Sequence, residues 1–157
     1  MTEYMPLLVK HDWNKASDRE WADVLAGLPL FAGIAKRDLR RIVSEADFAE
    51  FAPGDLVVST AAPADHFYVI LSGAARPSGP REARGLRAGD YFGEMGVLDR
   101  EPRSVSIVAT SELHVMRLPR HTFDAALERH PLLARAFLTE LTSRVRALER
   151  DVGRVGV

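Results

Sequence analysis

Apolar residues recur along this chain at two different periods, one typical of helices and one typical of strands. Near both ends the spacing is three to four residues, which predicts amphipathic helices. Between Phe48 and Leu118 the spacing falls towards two, and Gly and Pro interrupt it often, which predicts short strands joined by turns. The pattern therefore predicts a mainly β protein with flanking helices, built as a jelly-roll or a barrel.

Individual elements follow from the same pattern. Ser17 and Glu20 fit a capping box that opens a helix through about Leu25, and a second helix is predicted over residues 36–46. A turn at residues 28–31 is expected to dock on the core. The predicted strands cover residues 48–51, 56–59, 67–72, 105–110 and 113–118. Residues 76–85 are polar and rich in turn formers, so we expect an exposed hairpin tip there.

Composition narrows the class of protein. The 157 residues are 46% hydrophobic and suit one globular domain, with an N-terminal arm and helix at 1–27 and the domain itself at 28–157. A net charge of −1 gives no support for a nucleic-acid surface, and the absence of cysteine excludes disulfides and thiolate metal sites. Neither a long apolar run nor a secretory signal is present, so we expect a cytoplasmic protein without membrane partners. The excess of Arg over Lys favours a bacterial source.

Residues 92–106 carry the chemistry that points to a ligand. Gly93 and Gly96 allow backbone N–H groups to approach an anion closely, and a helical turn starting near Gly93 would aim free N–H groups at it. Arg103 offers a planar fork for phosphate oxygens, and Glu94 can accept hydrogen bonds from ligand hydroxyls. Phosphate and hydroxyls together indicate a nucleotide. The plainer alternatives are turn glycines, an acid at a helix N-terminus and a surface arginine.

This segment resembles the phosphate-binding cassette of the cyclic nucleotide-binding domains, a family that includes catabolite activator proteins, regulatory subunits of cyclic-AMP-dependent protein kinase and cyclic-nucleotide-gated channels. Residues 92–98 and 102–104 match the cassette signature, and the likeness extends over about residues 28–150. Ala61 departs from it, since the family usually has glycine near that position. The resemblance implies a double-stranded β-helix (jelly-roll) with N-terminal helices, a short helix at 119–127 and a long C-terminal helix at 131–150.

The resemblance also implies a cyclic nucleotide as ligand and no resident cofactor or metal. Arg103 would neutralise the phosphate, Glu94 would accept the ribose 2′-hydroxyl, and Val105 would line the pocket, although a plain core role suits Val105 as well. Ser104 would bind the phosphate and permits cyclic GMP without demanding it. The implied ligand-binding residues are Gly93, Glu94, Met95, Gly96, Arg103, Ser104 and Val105.

The resemblance implies that the C-terminal helix recognises the base. Counting from Arg103 places Leu148 and Glu149 at the hydroxyl positions of the activator branch and Arg144 at its arginine, so Arg144 and Leu148 are the candidate base cap. Leu148 is not a hydroxyl residue, so it could stack on either purine. We expect cyclic AMP ahead of cyclic GMP. The same helix carries an apolar stripe at spacings of three and four, which favours a parallel homodimer slightly over packing on its own domain. The stripe consists of Ala134, Phe137, Leu141, Val145, Leu148, Val152 and Val155.

The expected function is a non-catalytic sensor module in which the ligand shifts the C-terminal helix and so alters contact with an effector protein. No helix-turn-helix pattern follows that helix, so we expect no DNA binding by the chain itself. The main alternative is a degenerate, ligand-free scaffold for protein interactions. A cupin-type metalloenzyme is disfavoured because the histidines show no ligand spacing, and His114 is expected to be an ordinary half-exposed strand residue. The five histidines are His11, His66, His114, His121 and His130.

Overall fold

The computed structural model of the protein describes residues 17–60, 65–78, 85–93 and 106–155. Within these residues, helices lie at both ends and eight strands lie between them. The helices are α1 (Asp18–Ala26), α2 (Lys36–Ser44), α3 (Arg120–Arg129) and α4 (Pro131–Val155), with a 3₁₀ turn at Pro29–Phe31. The strands are β1 (Asp47–Phe51), β2 (Leu56–Val58), β3 (His66–Ser72), β4 (Ala74–Pro77), β5 (Leu86–Arg87), β6 (Tyr91–Phe92), β7 (Ile107–Ala109) and β8 (Leu113–Pro119).

The strands form two antiparallel four-stranded sheets, ordered β1-β8-β3-β6 and β2-β7-β4-β5. This is the jelly-roll with flanking helices that the sequence predicts. The first sheet is covered on both faces. Tyr68 and Ile70 of β3 pack towards the second sheet, whereas Phe67, Val69 and Leu71 pack towards the helices. Double coverage explains why β3 is a continuous apolar run, since a strand with one face in water would alternate.

An aromatic cluster holds the C-terminal helices on the first sheet. The Phe67 ring of β3 stacks on Phe123 of α3 with centroids 4.3 Å apart. Phe137 of α4 lies 5.4 Å from Phe123 and 5.3 Å from Tyr91 of β6. Phe67, Phe123 and Phe137 are all buried. Because aromatic rings bury large apolar areas, this cluster anchors the start of α4 to strands β3 and β6.

The N-terminal helices form as the sequence predicts. The Ser17 hydroxyl accepts a hydrogen bond from the Glu20 backbone N–H at 3.2 Å, and the Ser17 N–H donates to Glu20 Oε1 at 3.4 Å. Both bonds of the capping box are therefore present. Trp21 stacks on Phe48 of β1 at 4.4 Å, and the 3₁₀ turn buries Phe31, so both segments dock on the core.

Several boundaries differ from the sequence prediction. The second helix ends at Ser44, and β4, β5 and β6 were not predicted. Residues 76 and 77 belong to β4 and not to an exposed tip, because their backbone pairs with β7. The last helix continues to Val155, beyond the predicted end at residue 150. The predicted arm at 1–15 and the turn at Ala61 lie outside the described residues. Among the helices described, none combines the length and apolarity needed to cross a membrane.

Candidate nucleotide-binding site

Gly93 is the one predicted ligand residue of the cassette whose conformation the structure describes. It follows β6 directly and has φ of +88°, a left-handed conformation that a residue with a Cβ rarely adopts. Glycine at this position therefore meets a backbone requirement, which suits both a cassette glycine and a plain turn glycine. The other predicted contacts, at Glu94, Met95, Gly96, Arg103, Ser104 and Val105, lie outside the described residues.

Both ends of the cassette are attached to the jelly-roll. On the entry side, Phe92 of β6 is buried and stacks on Tyr68 of β3, with centroids 4.7 Å apart and planes 7° from parallel. On the exit side, the Ser106 hydroxyl accepts from the Thr60 N–H at 3.1 Å, and the Ser106 N–H donates to the Ser78 hydroxyl at 3.2 Å. The segment at 94–105 therefore starts and ends at positions set by the two sheets.

A second arginine, Arg117 of β8, is partly buried in the first sheet and was not predicted. Its guanidinium donates twice to Asp47, from Nε to Oδ1 at 2.6 Å and from Nη2 to Oδ2 at 2.9 Å. The hydrogen bond to Asp47, together with a weaker one to Tyr68, raises the pKa of Arg117 despite its partial burial. Asp47 compensates the charge of Arg117, so Arg103 remains the candidate for neutralising a phosphate. The pairing depends on the register of β1 against β8, which sequence patterns do not reveal.

The predicted base-cap residues lie on the outer half of α4. The guanidinium carbon of Arg144 lies 5.5 Å from the centre of the Tyr91 ring, within cation–π range. Arg144 Nε is also 4.0 Å from Glu140 Oε1. Leu148, one turn further on, is 63% exposed. Helix α4 therefore contacts β6, the strand that leads into the cassette, through Phe137 and Arg144.

The apolar stripe of α4 has two different environments. Phe137 is buried and Leu141 packs against the core, so the first half of the helix rests on its own domain. Further along, Val145, Leu148 and Val152 are 54%, 63% and 69% exposed. Packing on its own domain therefore accounts for the first half of the stripe, and the homodimer stays a prediction for the exposed half.

His114 corrects the expectation of a half-exposed strand residue, because it is buried, with 7% of its surface exposed. Its Nε2 lies 3.1 Å from Glu50 Oε1 and 4.0 Å from Glu112 Oε1. Sequence spacing missed this group because Glu50 is on β1 and reaches His114 only through strand pairing. A separate cavity of about 180 Å³ between α2 and α3 is lined by residues such as Ile42, Glu45 and Ala126.

Comparison with known proteins decides the family. The sequence profile of the family described as "Cyclic nucleotide-binding domain" matches residues 48–130, more than half of the chain. The chain belongs to the cyclic nucleotide-binding domain family. The match spans β1 to the end of α3 and includes the whole cassette. The resemblance inferred from residues 92–104 is therefore confirmed.

The relatives of this chain include a protein kinase regulatory subunit and an ion channel. The chain is 30% identical over 113 residues to the cAMP-dependent protein kinase regulatory subunit of Hypocrea atroviridis, covering 71% of this chain and 24% of that protein. It is 33% identical over 127 residues to the potassium/sodium hyperpolarization-activated cyclic nucleotide-gated channel 3 of Mus musculus, covering 80% of this chain and 16% of the channel. The domain thus spans about a quarter or less of the length of these two relatives.

A solved structure shares the architecture. The catabolite activator protein of Thermus thermophilus superposes with a TM-score of 0.70 at 25% identity, covering 82% of this chain and 63% of that one. The jelly-roll with N-terminal helices and a long C-terminal helix is therefore the architecture of this chain and of that protein alike.

Proposed function

We propose that the protein is a non-catalytic cyclic nucleotide sensor whose ligand occupies the cassette and changes the position of α4. The observation that carries the proposal is the cassette sequence at 92–104 within a matched cyclic nucleotide-binding domain. Gly93 supports it, because its left-handed φ suits a chain that curls around an anion. In this proposal Arg103 pairs with the cyclic phosphate, Glu94 accepts the ribose hydroxyl, and Met95 and Gly96 offer backbone N–H groups.

Cyclic AMP is the preferred ligand in this proposal. The Hypocrea relative is named a cAMP-dependent protein kinase regulatory subunit, which favours the adenine nucleotide here. Ser104 is compatible with both nucleotides, and Leu148 is an apolar candidate for stacking on the base. The partner that reads the helix position is proposed to be an effector protein.

Titration calorimetry tests the proposal directly. We expect the unliganded protein to bind cyclic AMP at one site per chain, more tightly than cyclic GMP, and to bind 5′-AMP much more weakly. The linear nucleotide is the matched control, because it keeps the base and sugar but adds a charge and opens the phosphate ring. Absence of heat with both cyclic nucleotides would support the ligand-free scaffold and contradict the sensor.

The contacts of α4 indicate how the ligand could act on the helix. Tyr91 touches Phe137 and Arg144 of α4, and it stands two residues before Gly93. A ligand that orders the cassette would therefore change the surface on which α4 rests. Such coupling requires that the ligand bind one helix position better than the other. We propose that the bound state is the one in which Arg144 and Leu148 lie over the base.

Replacing Arg144 by alanine tests this coupling. In the proposed bound state Arg144 lies over the base, and an exposed cation–π contact of this kind contributes about 0.5–1 kcal/mol. Arg144→Ala should therefore weaken cyclic AMP binding about two- to fivefold. Arg146→Ala is the matched control, because Arg146 is an exposed arginine on the same helix. Hydrogen exchange along α4 should slow when wild type binds ligand, and slow less in the Arg144 variant. Affinity equal to the control, or higher than wild type, would contradict a cap formed by Arg144.

A parallel homodimer through α4 is the proposed assembly. The exposed residues Leu138, Val145, Leu148 and Val152 follow one another at spacings of seven, three and four, which is the seam spacing of a coiled coil. A second copy of the same helix presents a complementary stripe. Native mass spectrometry of the protein purified from a bacterium that makes cyclic AMP should show two subunits with bound nucleotide, and Val152→Ser should shift the population to monomers.

A further inference from the structure

We propose that the domain has a divalent cation site of the zinc type at the side chains of His114, Glu50 and Glu112, separate from the cassette. One potential ligand atom from each residue lies within 4.8 Å of the other two. His114 Nε2 stands 3.1 Å from Glu50 Oε1 and 4.0 Å from Glu112 Oε1. Ligand atoms about 2.0–2.1 Å from a tetrahedral zinc ion are about 3.3–3.4 Å from one another. The two distances from His114 Nε2 to the carboxylate oxygens lie on either side of this ligand-to-ligand distance.

The register of β1 against β8 brings two of the three ligands together. Glu50 and His114 are directly opposite residues of this antiparallel pair, so their side chains project from the same face of the sheet. That face is the one on which Phe48 and Met116 pack towards the helices. A cation bound here would tie β1, an edge strand of the first sheet, to its neighbour β8.

A β-bulge places Ser72 behind the histidine. Strict alternation along β3 would turn Ser72 to the same side as Ile70, into the space between the sheets. The register instead moves two residues on β3, from Ile70 to Ser72, while β8 moves one, from Val115 to His114. Ser72 thus lies opposite His114, and its Oγ is 3.2 Å from His114 Nδ1.

Ser72 gives the histidine the support that metal-ligating imidazoles usually have. When Nδ1–H donates to the Ser72 hydroxyl, the Nε2 lone pair points towards Glu50 and Glu112. A lone pair and two carboxylates facing one another repel, and a divalent cation relieves that repulsion and cancels both carboxylate charges. The competing arrangement has Nε2–H donating to Glu50 with no ion, and the two arrangements predict different responses to zinc.

Glu112 is held in position by the turn that precedes β8. The Ala74 N–H donates to the Ser111 hydroxyl at 2.9 Å, and that hydroxyl donates to the Glu112 carbonyl at 3.1 Å. Gly73 allows the close approach, because a Cβ there would lie 2.0 Å from the Glu112 carbonyl oxygen. The backbone of the third ligand is therefore set before any ion binds, while its side chain, 47% exposed, can adjust to the ion.

The ligand set selects among cations. An imidazole nitrogen with two carboxylate oxygens suits zinc and related transition metals, whereas calcium and magnesium prefer oxygen ligands alone. Three protein ligands leave a fourth tetrahedral position for water. The proposal does not depend on the nucleotide, since none of its residues belongs to the cassette or to α4.

Calorimetry with ZnCl₂ on metal-stripped, tag-free protein tests the site. We expect one zinc ion per chain, no comparable binding of Mg²⁺ or Ca²⁺, and a higher midpoint of thermal unfolding with zinc. Glu50→Gln and Glu112→Gln should each weaken zinc binding at least about tenfold, and Ser72→Ala about ten- to a hundredfold. The two glutamates are solvent-accessible, so these variants should fold. The Nε2 resonance of His114 in a nitrogen-15 spectrum should move on zinc addition.

Glu45→Gln is the matched control, because Glu45 Oε1 also lies within 3.4 Å of a histidine Nε2, that of the exposed His121. Zinc binding should be unchanged in this variant. The proposal is overturned if zinc does not bind, if the Glu50 and Glu112 variants bind zinc as tightly as wild type, or if Glu45→Gln weakens binding as much as they do.

Discussion

Arg103→Ala should lower the affinity for cyclic AMP by about a hundredfold to ten-thousandfold. In the proposed site the Arg103 guanidinium donates two charge-assisted hydrogen bonds to the cyclic phosphate, which would contribute about 1.5–3 kcal/mol each, and alanine would remove both. The cyclic phosphate carries one negative charge, and a site without Arg103 leaves that charge without its cationic partner. Titration calorimetry of both proteins under identical salt measures the difference.

Two further variants make the Arg103 result specific. Arg103→Lys keeps the charge but loses the planar fork, so its affinity should fall between those of wild type and Arg103→Ala. Arg76→Ala removes an exposed arginine from β4 and should bind as wild type does. Equal affinity of wild type and Arg103→Ala would remove the basis for the sensor function. Circular dichroism and thermal melting would exclude loss of fold as the cause of a weakened signal.

Gly73→Ala should destabilise the domain by about 2–5 kcal/mol. Gly73 has φ of +89°, and a Cβ there would lie 2.0 Å from the Glu112 carbonyl oxygen and 3.0 Å from the Leu113 Cα. The left-handed conformation costs a residue with a Cβ about 1–2 kcal/mol. Displacement of packed backbone adds about 1–3 kcal/mol, as overpacking does in protein cores. Urea denaturation followed by circular dichroism gives the free energy of unfolding.

Gly54→Ala separates the two contributions. Gly54 has nearly the same φ, +92°, but a Cβ there would meet nothing within 4 Å in the described part of the chain. Its replacement should therefore cost only the conformational part, about 1–2 kcal/mol. Equal losses for the two variants would mean that the close approach between Gly73 and the turn before β8 contributes nothing to stability.

The cassette could be found from sequence because it is local. One short stretch of chain supplies the glycines, the acid and the arginine, so order and spacing in the sequence carry the pattern. The capping box is local in the same way, since Ser17 and Glu20 are one helical turn apart. The residue pattern with its frequent Gly and Pro turns predicted a jelly-roll or a barrel, and the resemblance of the cassette favoured the jelly-roll. The short strands β5 and β6 carry too few residues to show a period.

The sequence by itself determined the fold class, the family and the residues proposed to hold the ligand, because each depends on neighbours along the chain. The tertiary structure alone decided the burial of His114, its approach to Glu50 and Glu112, and the division of the α4 stripe into a packed half and an exposed half. These features arise where distant strands and helices meet. The register of paired strands, or a bulge such as the one at Leu71, sets which side chains face each other. The local spacing of apolar residues predicts neither of them.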